Sequence, residues 1–441
     1  MDLAVLTQIS QDVLKLAKTA GASSAECDVS FGTGQNVSVR MGELENIEYN
    51  RDKGVSVTVY FGQQKGNASS SDLSAQALKD TVEAACNIAK YTAKDEFCGL
   101  ADAELMAKNI PDLALYYPWQ LSVEEATDLA KRCESAALSV DTTRITNSEG
   151  AGVSTSEGVF AYANSHGFVG GYPSSRHSIS CSVIGEDGEA MQRDYWYSSA
   201  RDFADLESAE AIGKLAGERT VKRLGAKAIK TGHYPVIFEA PLASGFIGNL
   251  ISAVSGGNLY RKSSFLLDSL GTQIGASLLN IEELPHLKKG SASTPFDNEG
   301  VATKSRKLVE NGVLQGYVLG SYSARKLGMQ TTANAGGSHN LLVQSTGQNL
   351  AELLQLMGTG LLVTEVLGHG LNMVTGDYSR GAAGYWVENG VIAHPVEEIT
   401  IASNMKDMLG NIVAIGNDAI KHSAKQVGSI LIARMTVAAG E

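Results

Sequence analysis

A glycine-dense run at residues 375–390 constrains the fold of this chain more than any other segment. It reads Thr-Gly-Asp-Tyr-Ser-Arg-Gly-Ala-Ala-Gly-Tyr-Trp-Val-Glu-Asn-Gly and ends in an apolar strand pattern. Glycine allows a backbone to turn with positive φ or to approach another backbone closely. The run therefore predicts a shaped surface built on a sheet rather than a flexible linker. The alternative is a set of tight turns in a β-rich domain, where glycine-rich turns are common.

Length, charge and cysteine usage limit the class of protein. The 441 residues leave room for two or three domains. The net charge of −12 argues against non-specific nucleic-acid binding, which needs Lys and Arg to displace counterions. The first eighteen residues are patterned as an amphipathic helix rather than a signal peptide, and no apolar run is long enough to span a membrane. Five widely spaced cysteines are typical of free thiols in a reducing compartment. We predict a cytoplasmic protein without membrane or nucleic-acid partners.

The first half of the chain alternates helical and strand patterns in an order that occurs twice. The helical patterns lie at 3–19, 71–89, 122–138 and 206–224. The strand-like runs of the first round lie at 26–31, 36–40, 46–49 and 55–60. Ser122 and Glu125 form a capping-box pattern at the start of the third helix. We predict an N-terminal α/β domain of mixed strands and helices over residues 1–230, and we interpret the repeated order as an internal duplication.

After residue 230 the pattern becomes β-rich. The pentapeptide Val-Glu-Asn-Gly-Val occurs at 309–313 and again at 387–391, and Asn-Gly between strand-like flanks is a strong hairpin signal. Apolar residues at helical spacing predict one buried helix at 242–254, and a shorter helix is predicted at 350–357. We predict a C-terminal β-rich domain, barrel- or sandwich-like with one buried helix, over residues 231–441. The predicted fold class is α+β.

The sequence contains none of the common catalytic or cofactor motifs. Of its eight histidines, no two are three to five residues apart, so the paired ligands of a zincin helix are absent. No dinucleotide fingerprint or P-loop occurs. Two arrangements keep a self-contained hydrolase open as a hypothesis. One is an oxyanion loop and nucleophile at Ser255, and the other is a scattered metal site formed by His339, His369 and Asp297.

Four clusters of polar residues occur in the C-terminal half of the sequence. They are Tyr260–Ser264, Ser293–Gly300, Ser321–Lys326, and the trio Asp377, Tyr378 and Arg380. Charged and aromatic groups held by glycine-rich loops suit recognition of a peptide backbone or terminus. The alternative is that each cluster is a solvated loop with internal ion pairs.

Taken in order, these blocks resemble the TldD/PmbA family, specifically its PmbA (TldE) branch. The residues that carry the resemblance are SGGNLYRKSSF at 255–265, STPFDNEG at 293–300, SYSARKLG at 321–328, GTGLLVTE at 358–365, the run at 375–390, PVEEITI at 395–401 and GND at 416–418. The resemblance spans nearly the whole chain and is densest between residues 235 and 420.

The resemblance implies a subunit of a cytoplasmic zinc metallopeptidase that processes unfolded or leader-bearing peptides. In that family the TldD-like partner carries an H-E-x-x-x-H motif on the helix before the Arg/Ser-rich block. Here that stretch, residues 245–254, contains neither His nor Glu. We therefore assign no catalytic or metal residue and no cofactor to this chain, and we expect zinc in the partner subunit.

We predict that this chain shapes the substrate channel of such an assembly and is inactive alone. The residues predicted to contact peptide or partner are Arg261, Lys262, Asp297, Tyr378 and Arg380. The alternative hypothesis is a non-proteolytic regulatory or binding protein that acts as a homodimer.

Overall fold

The structure, a computed structural model, describes residues 1–188 and 190–439, so the last two residues of the predicted domain 231–441 lie outside it. Within the described residues no helix has the length and apolarity to cross a membrane. The helices are α1 (Leu3–Thr19), α2 (Ala75–Tyr91), α3 (Val123–Leu138), α4 (Ala209–Lys222), α5 (Ala240–Ala253), α6 (Gly256–Tyr260), α7 (Ser321–Lys326), α8 (Leu350–Met357) and α9 (Met405–Gly410).

The strands fall into three sheets. Those of the first half are β1 (Ser24–Arg40), β2 (Glu43–Phe61), β3 (Gln64–Ser70), β4 (Ile145–Asn164), β5 (Val169–Asp187) and β6 (Ala190–Ala200). The second half contains β7 (Gly232–Phe238), β8 (Ile281–Glu283), β9 (Arg306–Glu310), β10 (Val313–Leu314), β11 (Leu341–Val343), β12 (Gly360–Leu367), β13 (Asp377–Glu388), β14 (Val391–Asn404), β15 (Ile412–Ile415), β16 (Lys425–Gln426) and β17 (Ile430–Ala438).

The first sheet has six antiparallel strands in the order β3-β2-β1-β4-β5-β6. Along β1, alternate residues are buried: Cys27 and Val29 pack with α1 and α2, while Val37 and Val39 pack with α3 and α4. Because side chains alternate between the faces of a strand, all four helices cover the same face of the sheet. The element order helix, three strands, helix occurs twice, with β1 and β4 adjacent at the centre. The internal duplication itself stays a prediction.

The prediction of four separate short strands in the first round was wrong. β1 unites the runs at 26–31 and 36–40, and β2 unites the other two. Gly32 and Gly34, which lie between the two runs of β1, are paired with β2 on one side and β4 on the other. Central pairing on both edges outweighs the low strand preference of glycine, because strand propensity depends strongly on tertiary context.

The second half is built around a closed β-barrel. Strands β14, β13, β12, β7 and β17 are neighbours in that order, and β14 also pairs with β17 to close the ring. Two Asn-Gly hairpins are confirmed: Asn311 and Asn389 both have positive φ, as does the glycine after each. The predicted buried helix is α5, whose Phe246, Ile247 and Leu250 are at most 3% exposed. A separate sheet has the order β10-β9-β8-β11-β16. The α+β class and the barrel are therefore confirmed.

A set of buried ion pairs, which we call the α4 network, ties the first half to the barrel. Arg219 on α4 donates to both carboxylate oxygens of Glu239 at 2.8 and 3.1 Å and lies 3.3 Å from Asp194. Arg223 contacts Asp194 at 3.8 Å and Glu365 on β12 at 2.5 Å. The side chains of Arg219 and Arg223 are each 15% exposed, so these pairs are largely shielded from water.

Candidate functional site

A cleft of about 780 Å³ opens between the first sheet and α7, and we call it the α7 cleft. The segment 92–99, which follows α2, forms one of its walls. The remaining lining residues come from both halves of the molecule: Glu26, Tyr60, Gln63, Lys65, Glu299, Tyr322 and Lys326. This volume lies within the range of about 300–1,000 Å³ that ligand clefts span, and charged side chains make up much of the lining.

The short helix α7 holds the 92–99 wall in place. The Tyr322 hydroxyl donates to the Asp95 carboxylate at 2.7 Å, which keeps the pKa of Asp95 below its usual range and raises the pKa of Tyr322 to about 12. The Arg325 guanidinium donates to the carbonyls of Phe97 and Gly99 at 3.3 and 3.1 Å. The ammonium of Lys326 lies 4.4 Å from the centre of the Phe97 ring. The block at 321–328 is therefore a helix that shapes the cleft.

Glu26 and Glu299 are two of the four carboxylates that line the α7 cleft, the others being Asp95 and Glu96. Glu26 accepts hydrogen bonds from the hydroxyls of Tyr60 and Tyr162, each at 2.9 Å. Burial raises the pKa of Glu26 above its usual range, and the charge of Glu299 adds to the rise. Glu299 accepts the backbone N–H of Ser321 at 2.9 Å. Across residues 1–188 and 190–439, no Lys, Arg or His nitrogen lies within 4.0 Å of the carboxylate oxygens of either Glu26 or Glu299.

Of the predicted contact residues, Arg261 and Lys262 are exposed at the end of α6. The Arg261 guanidinium lies 5.3 Å from the centre of the Tyr260 ring. That ring is 5.8 Å from the ring of Tyr322, a lining residue of the α7 cleft. Arg261 thus lies near the rim of the cleft, and the Tyr260 ring connects it to the lining residue Tyr322.

Asp297 is buried beneath the cleft, at 2% exposure. Its carboxylate accepts the backbone N–H groups of Glu299, Val301 and Ala335 at 2.9, 3.0 and 3.0 Å. Burial, together with the charge of Glu299, raises the pKa of Asp297 to about 7. Asp297 is therefore enclosed by the loop that presents Glu299, and its contacts organise that loop.

We expect Asp297→Asn to lower the free energy of unfolding by about 1–3 kcal/mol. Both carboxylate oxygens of Asp297 accept backbone N–H groups. In either orientation of the asparagine amide, its NH₂ group would therefore face at least one of these N–H donors. Urea unfolding followed by circular dichroism measures the change. Asp52→Asn, on the exposed part of β2, is the matched control and is expected to stay within about 0.5 kcal/mol. Equal effects of the two substitutions would contradict the assigned role of Asp297.

Tyr378 and Arg380 lie on β13 of the barrel and do not line the α7 cleft. The Tyr378 ring is 4% exposed and meets Phe238 edge-on with ring centres 6.4 Å apart. The Arg380 guanidinium donates to the carbonyls of Leu367 and Gly368, across the hairpin between β12 and β13. The structure therefore does not bring the five predicted residues together at one site.

The two arrangements proposed for a self-contained hydrolase find no support in the geometry. His339 is buried, with its ring nitrogen 2.8 Å from the Ala333 carbonyl, whereas His369 is exposed on the loop after β12. In the part of the chain that the structure describes, no three His, Cys, Asp or Glu residues are grouped to hold a metal ion. The Ser255 hydroxyl donates to the Ile251 carbonyl at 2.7 Å, which uses its proton to complete the end of α5.

Glu26, Asp95 and Tyr322 were not among the predicted site residues. Tyr322 lies within the polar cluster at 321–326 that the sequence displays. Glu26 and Asp95 are separated from that cluster by more than 200 residues, and no local motif marks them. Only the tertiary fold places these side chains around one cleft.

Comparison with known proteins gives a consistent family. The description PmbA/TldA metallopeptidase applies to three matching regions: domain 1 at residues 25–89, the central domain at 116–224 and the C-terminal domain at 231–439. Haemophilus influenzae and Escherichia coli O157:H7 have relatives named metalloprotease PmbA homolog and metalloprotease PmbA. They are 51% and 49% identical to this chain, and each alignment covers 98% of this chain and 96% of the relative.

A crystal structure from Bacteroides thetaiotaomicron, of a protein proposed to modulate DNA gyrase, has the same fold. The TM-score is 0.93 at 30% sequence identity, and the match covers 98% of each chain. Near-complete coverage in both sequence and structure excludes a match confined to one shared domain. The chain therefore belongs to the PmbA/TldA metallopeptidase family, on its PmbA branch.

Proposed function

We propose that this chain is the zinc-free subunit of a heteromeric metallopeptidase. A TldD-like subunit supplies the zinc site, and this chain shapes the channel that receives unfolded or leader-bearing peptides. The metalloprotease names of relatives at 49–51% identity support a role in peptide hydrolysis. The five free cysteines are in keeping with a cytoplasmic assembly.

The observation that carries the proposal is the composition and packing of α5. By resemblance, this helix occupies the position that bears the zinc motif in the TldD branch. Residues 240–253 contain no His, Cys, Asp or Glu, so α5 offers none of the usual zinc ligands. Its apolar residues Phe246, Ile247 and Leu250 belong to the main core of the second half. Glu239, the residue just before the helix, accepts hydrogen bonds from the Arg219 guanidinium.

The α7 cleft supports the peptide-binding part of the proposal. It is lined by charged and aromatic groups, and Arg261 lies near its rim. A peptide backbone offers both donors and acceptors, which such a lining can satisfy. Arg261 and Lys262 are therefore retained as proposed contacts with peptide or partner, whereas Asp297 is proposed to act by organising the loop that presents Glu299.

The test is to measure zinc content and hydrolysis of an unfolded peptide by the purified chain, alone and mixed with a TldD-like subunit. We expect no stoichiometric zinc and no hydrolysis by the chain alone, because no described group of residues provides three metal ligands. On mixing, we expect hydrolysis that a zinc chelator abolishes. Stoichiometric zinc with activity in the isolated chain would overturn the proposal. A mixture no more active than the TldD-like subunit alone would favour the non-proteolytic alternative.

A further inference from the structure

A second cavity, of about 210 Å³, lies where the first sheet meets the barrel, and we call it the edge cavity. Its lining includes residues 193–197 of β6 and residues 364–366 of β12. Successive residues of a strand point to opposite faces of its sheet, so a cavity lined by several consecutive residues faces the edge of that strand. The rest of the lining comes from Arg219 and Arg223 on α4 and from residues 241–242 of α5. The edge cavity therefore lies between two strand edges.

Both of these strand edges are unpaired. β6 is the last strand of the first sheet and pairs only with β5. β12 pairs with β7 along Leu361–Val363, but β7 ends at Phe238, and β13 occupies the other edge of β12. Within residues 1–188 and 190–439, no strand or isolated bridge pairs with the free edge of β6, or with that of β12 beyond Val363. Unpaired edges expose N–H and C=O groups that can pair with another chain.

The edge cavity also gathers hydrogen-bond donors that have no acceptor. Among the described residues, five buried side-chain polar atoms lack a hydrogen-bond partner, and three of them belong to residues of this lining. They are Nε1 of Trp196, Oγ1 of Thr364 and Nε of Arg219, which lies 3.3 Å from Asp194 without the alignment of a hydrogen bond. A buried donor without a partner requires an explanation, and a ligand that accepts from it is one.

Strand β12 is irregular at the same place. Its register with β13 shifts between Val363 and Glu365, so Thr364 is the extra residue of a β-bulge. Bulges change the direction of a side chain and are frequent beside binding sites. The bulge therefore explains how a hydroxyl on a barrel strand comes to line the cavity without a partner in the ladder.

The charges around the edge cavity are paired within the protein. Arg223 contacts Glu365 at 2.5 Å, and Arg219 contacts Glu239 at 2.8 Å. The third arginine of the lining, Arg193, has a carboxylate oxygen 3.1 Å away. An ionic ligand would find no free counter-charge here. A neutral acceptor such as a carbonyl group, by contrast, can bond to the unpartnered N–H and O–H donors.

We propose that the edge cavity binds an extended peptide segment, which pairs its backbone with the free edge of β6 and directs carbonyl groups to Trp196, Thr364 and Arg219. Such strand addition draws its affinity from main-chain hydrogen bonds. The volume of the cavity far exceeds the roughly 15 Å³ that a single water molecule needs. Tyr195 and Tyr197, which also line the cavity and are 54% and 40% exposed, offer aromatic surface to the side chains of the peptide. The inference rests on the proposed function for the peptide nature of the occupant, and it adds a binding surface separate from the α7 cleft.

Calorimetric titration of the full chain with blocked peptides tests the proposal. The first probe is acetyl-Lys-Thr-Val-Thr-Val-Thr-Lys-amide, and the second is the same peptide with an N-methyl group on each Thr and Val. We expect N-methylation to weaken binding by about tenfold or more, because it removes the backbone donors that pair with a strand edge. Equal binding of the two probes, or no binding of either, would overturn the proposal.

A third probe tests whether the arginines of the lining hold a chain end instead. It has a free C-terminal carboxylate in place of the amide. We expect it to bind as the blocked peptide does, because the charges of the arginines are already paired. Binding of this probe alone would show that the cavity takes a carboxylate and would overturn the proposal.

Two substitutions in the lining locate the bound peptide. Thr364→Val removes the hydroxyl and keeps the shape of the side chain, and Trp196→Phe removes the indole N–H. We expect each to weaken binding of the first probe by about fivefold, the effect of one hydrogen bond. The Thr364 hydroxyl has no partner in the free chain, so its removal should leave the fold intact.

Thr400→Val is the matched control for Thr364→Val. Thr400 is exposed on β14 of the same barrel and lies outside the cavity lining. We expect this variant to bind the first probe as the native chain does. If Thr364→Val and Trp196→Phe also bind it unchanged, the peptide binds elsewhere and the assignment of the edge cavity is wrong.

The binding assay and the hydrolysis assay fail separately. Unchanged peptide binding by both cavity variants, with hydrolysis still present on mixing with a TldD-like subunit, would remove this inference alone. Peptide binding that both variants weaken, with no gain of hydrolysis on mixing, would keep the edge cavity as a binding site and remove the proposed function.

Discussion

Arg219→Met is expected to lower the free energy of unfolding by about 3–5 kcal/mol. The substitution keeps most of the side-chain volume but leaves Asp194 and Glu239 without their closest cation. The side chains of these carboxylates are 6% and 16% exposed, so water cannot replace the lost guanidinium. The variant also loses the contact between the guanidinium and the ring of Trp196, whose centre is 5.3 Å away.

Equilibrium unfolding in urea measures this effect, and Arg132→Met is the matched control. Arg132 pairs with Asp128 and Glu210 at 3.0 and 2.6 Å, so it also holds two carboxylates. Its side chain is 48% exposed, however, and exposed pairs contribute only about 0–1 kcal/mol. If both variants lose the same stability, burial of the α4 network is not what makes it important.

Gly384→Ala is expected to cost about 3 kcal/mol and to disturb the barrel. A Cβ at this position would lie 1.9 Å from the Leu362 carbonyl oxygen on the neighbouring strand, so β12 and β13 would have to separate. The predicted close approach of backbones in the run at 375–390 is thus found at Gly384. The near-ultraviolet circular dichroism of the adjacent Trp386 reports on the local packing, and urea unfolding gives the stability.

Gly381→Ala separates this steric effect from the general cost of changing a glycine. Gly381 lies on the same strand, but its Cβ would meet Leu367 at 3.4 Å, an ordinary contact distance. We expect a change within about 1 kcal/mol and an unaltered spectrum. A loss at Gly381 as large as that at Gly384 would show that the close approach to Leu362 is not the cause.

Local patterns predicted the elements whose signals are local. Periodic apolar residues and the cap at Ser122 located α1, α3 and α5, and the capping box of α3 is present in the structure. Asn-Gly pairs located the hairpins between β9 and β10 and between β13 and β14. The merging of two short runs into β1 was not predictable in this way, because β1 pairs along its length with β4, more than 100 residues away.

The candidate site was less accessible to prediction than the fold. Charged residue types in loops drew attention to Arg261 and Asp297, but composition does not reveal burial. Asp297 proved to be enclosed by backbone donors, and Tyr378 proved to face the core. The α7 cleft joins side chains from positions 26 to 326, and such long-range convergence leaves no spacing that a single sequence displays.

The central pairing of β1 with β4 has a consequence for synthesis on the ribosome. β1 ends at Arg40, but β4 is complete only at Asn164. At translation rates of about 5–20 residues per second, about 6–25 seconds pass between the synthesis of β1 and that of its partner β4, and one edge of β1 is unpaired during this time. An unpaired strand edge readily joins the wrong chain. We therefore expect the first ninety residues, released alone, to associate with one another, and we expect the nascent chain to depend on chaperones until β4 emerges.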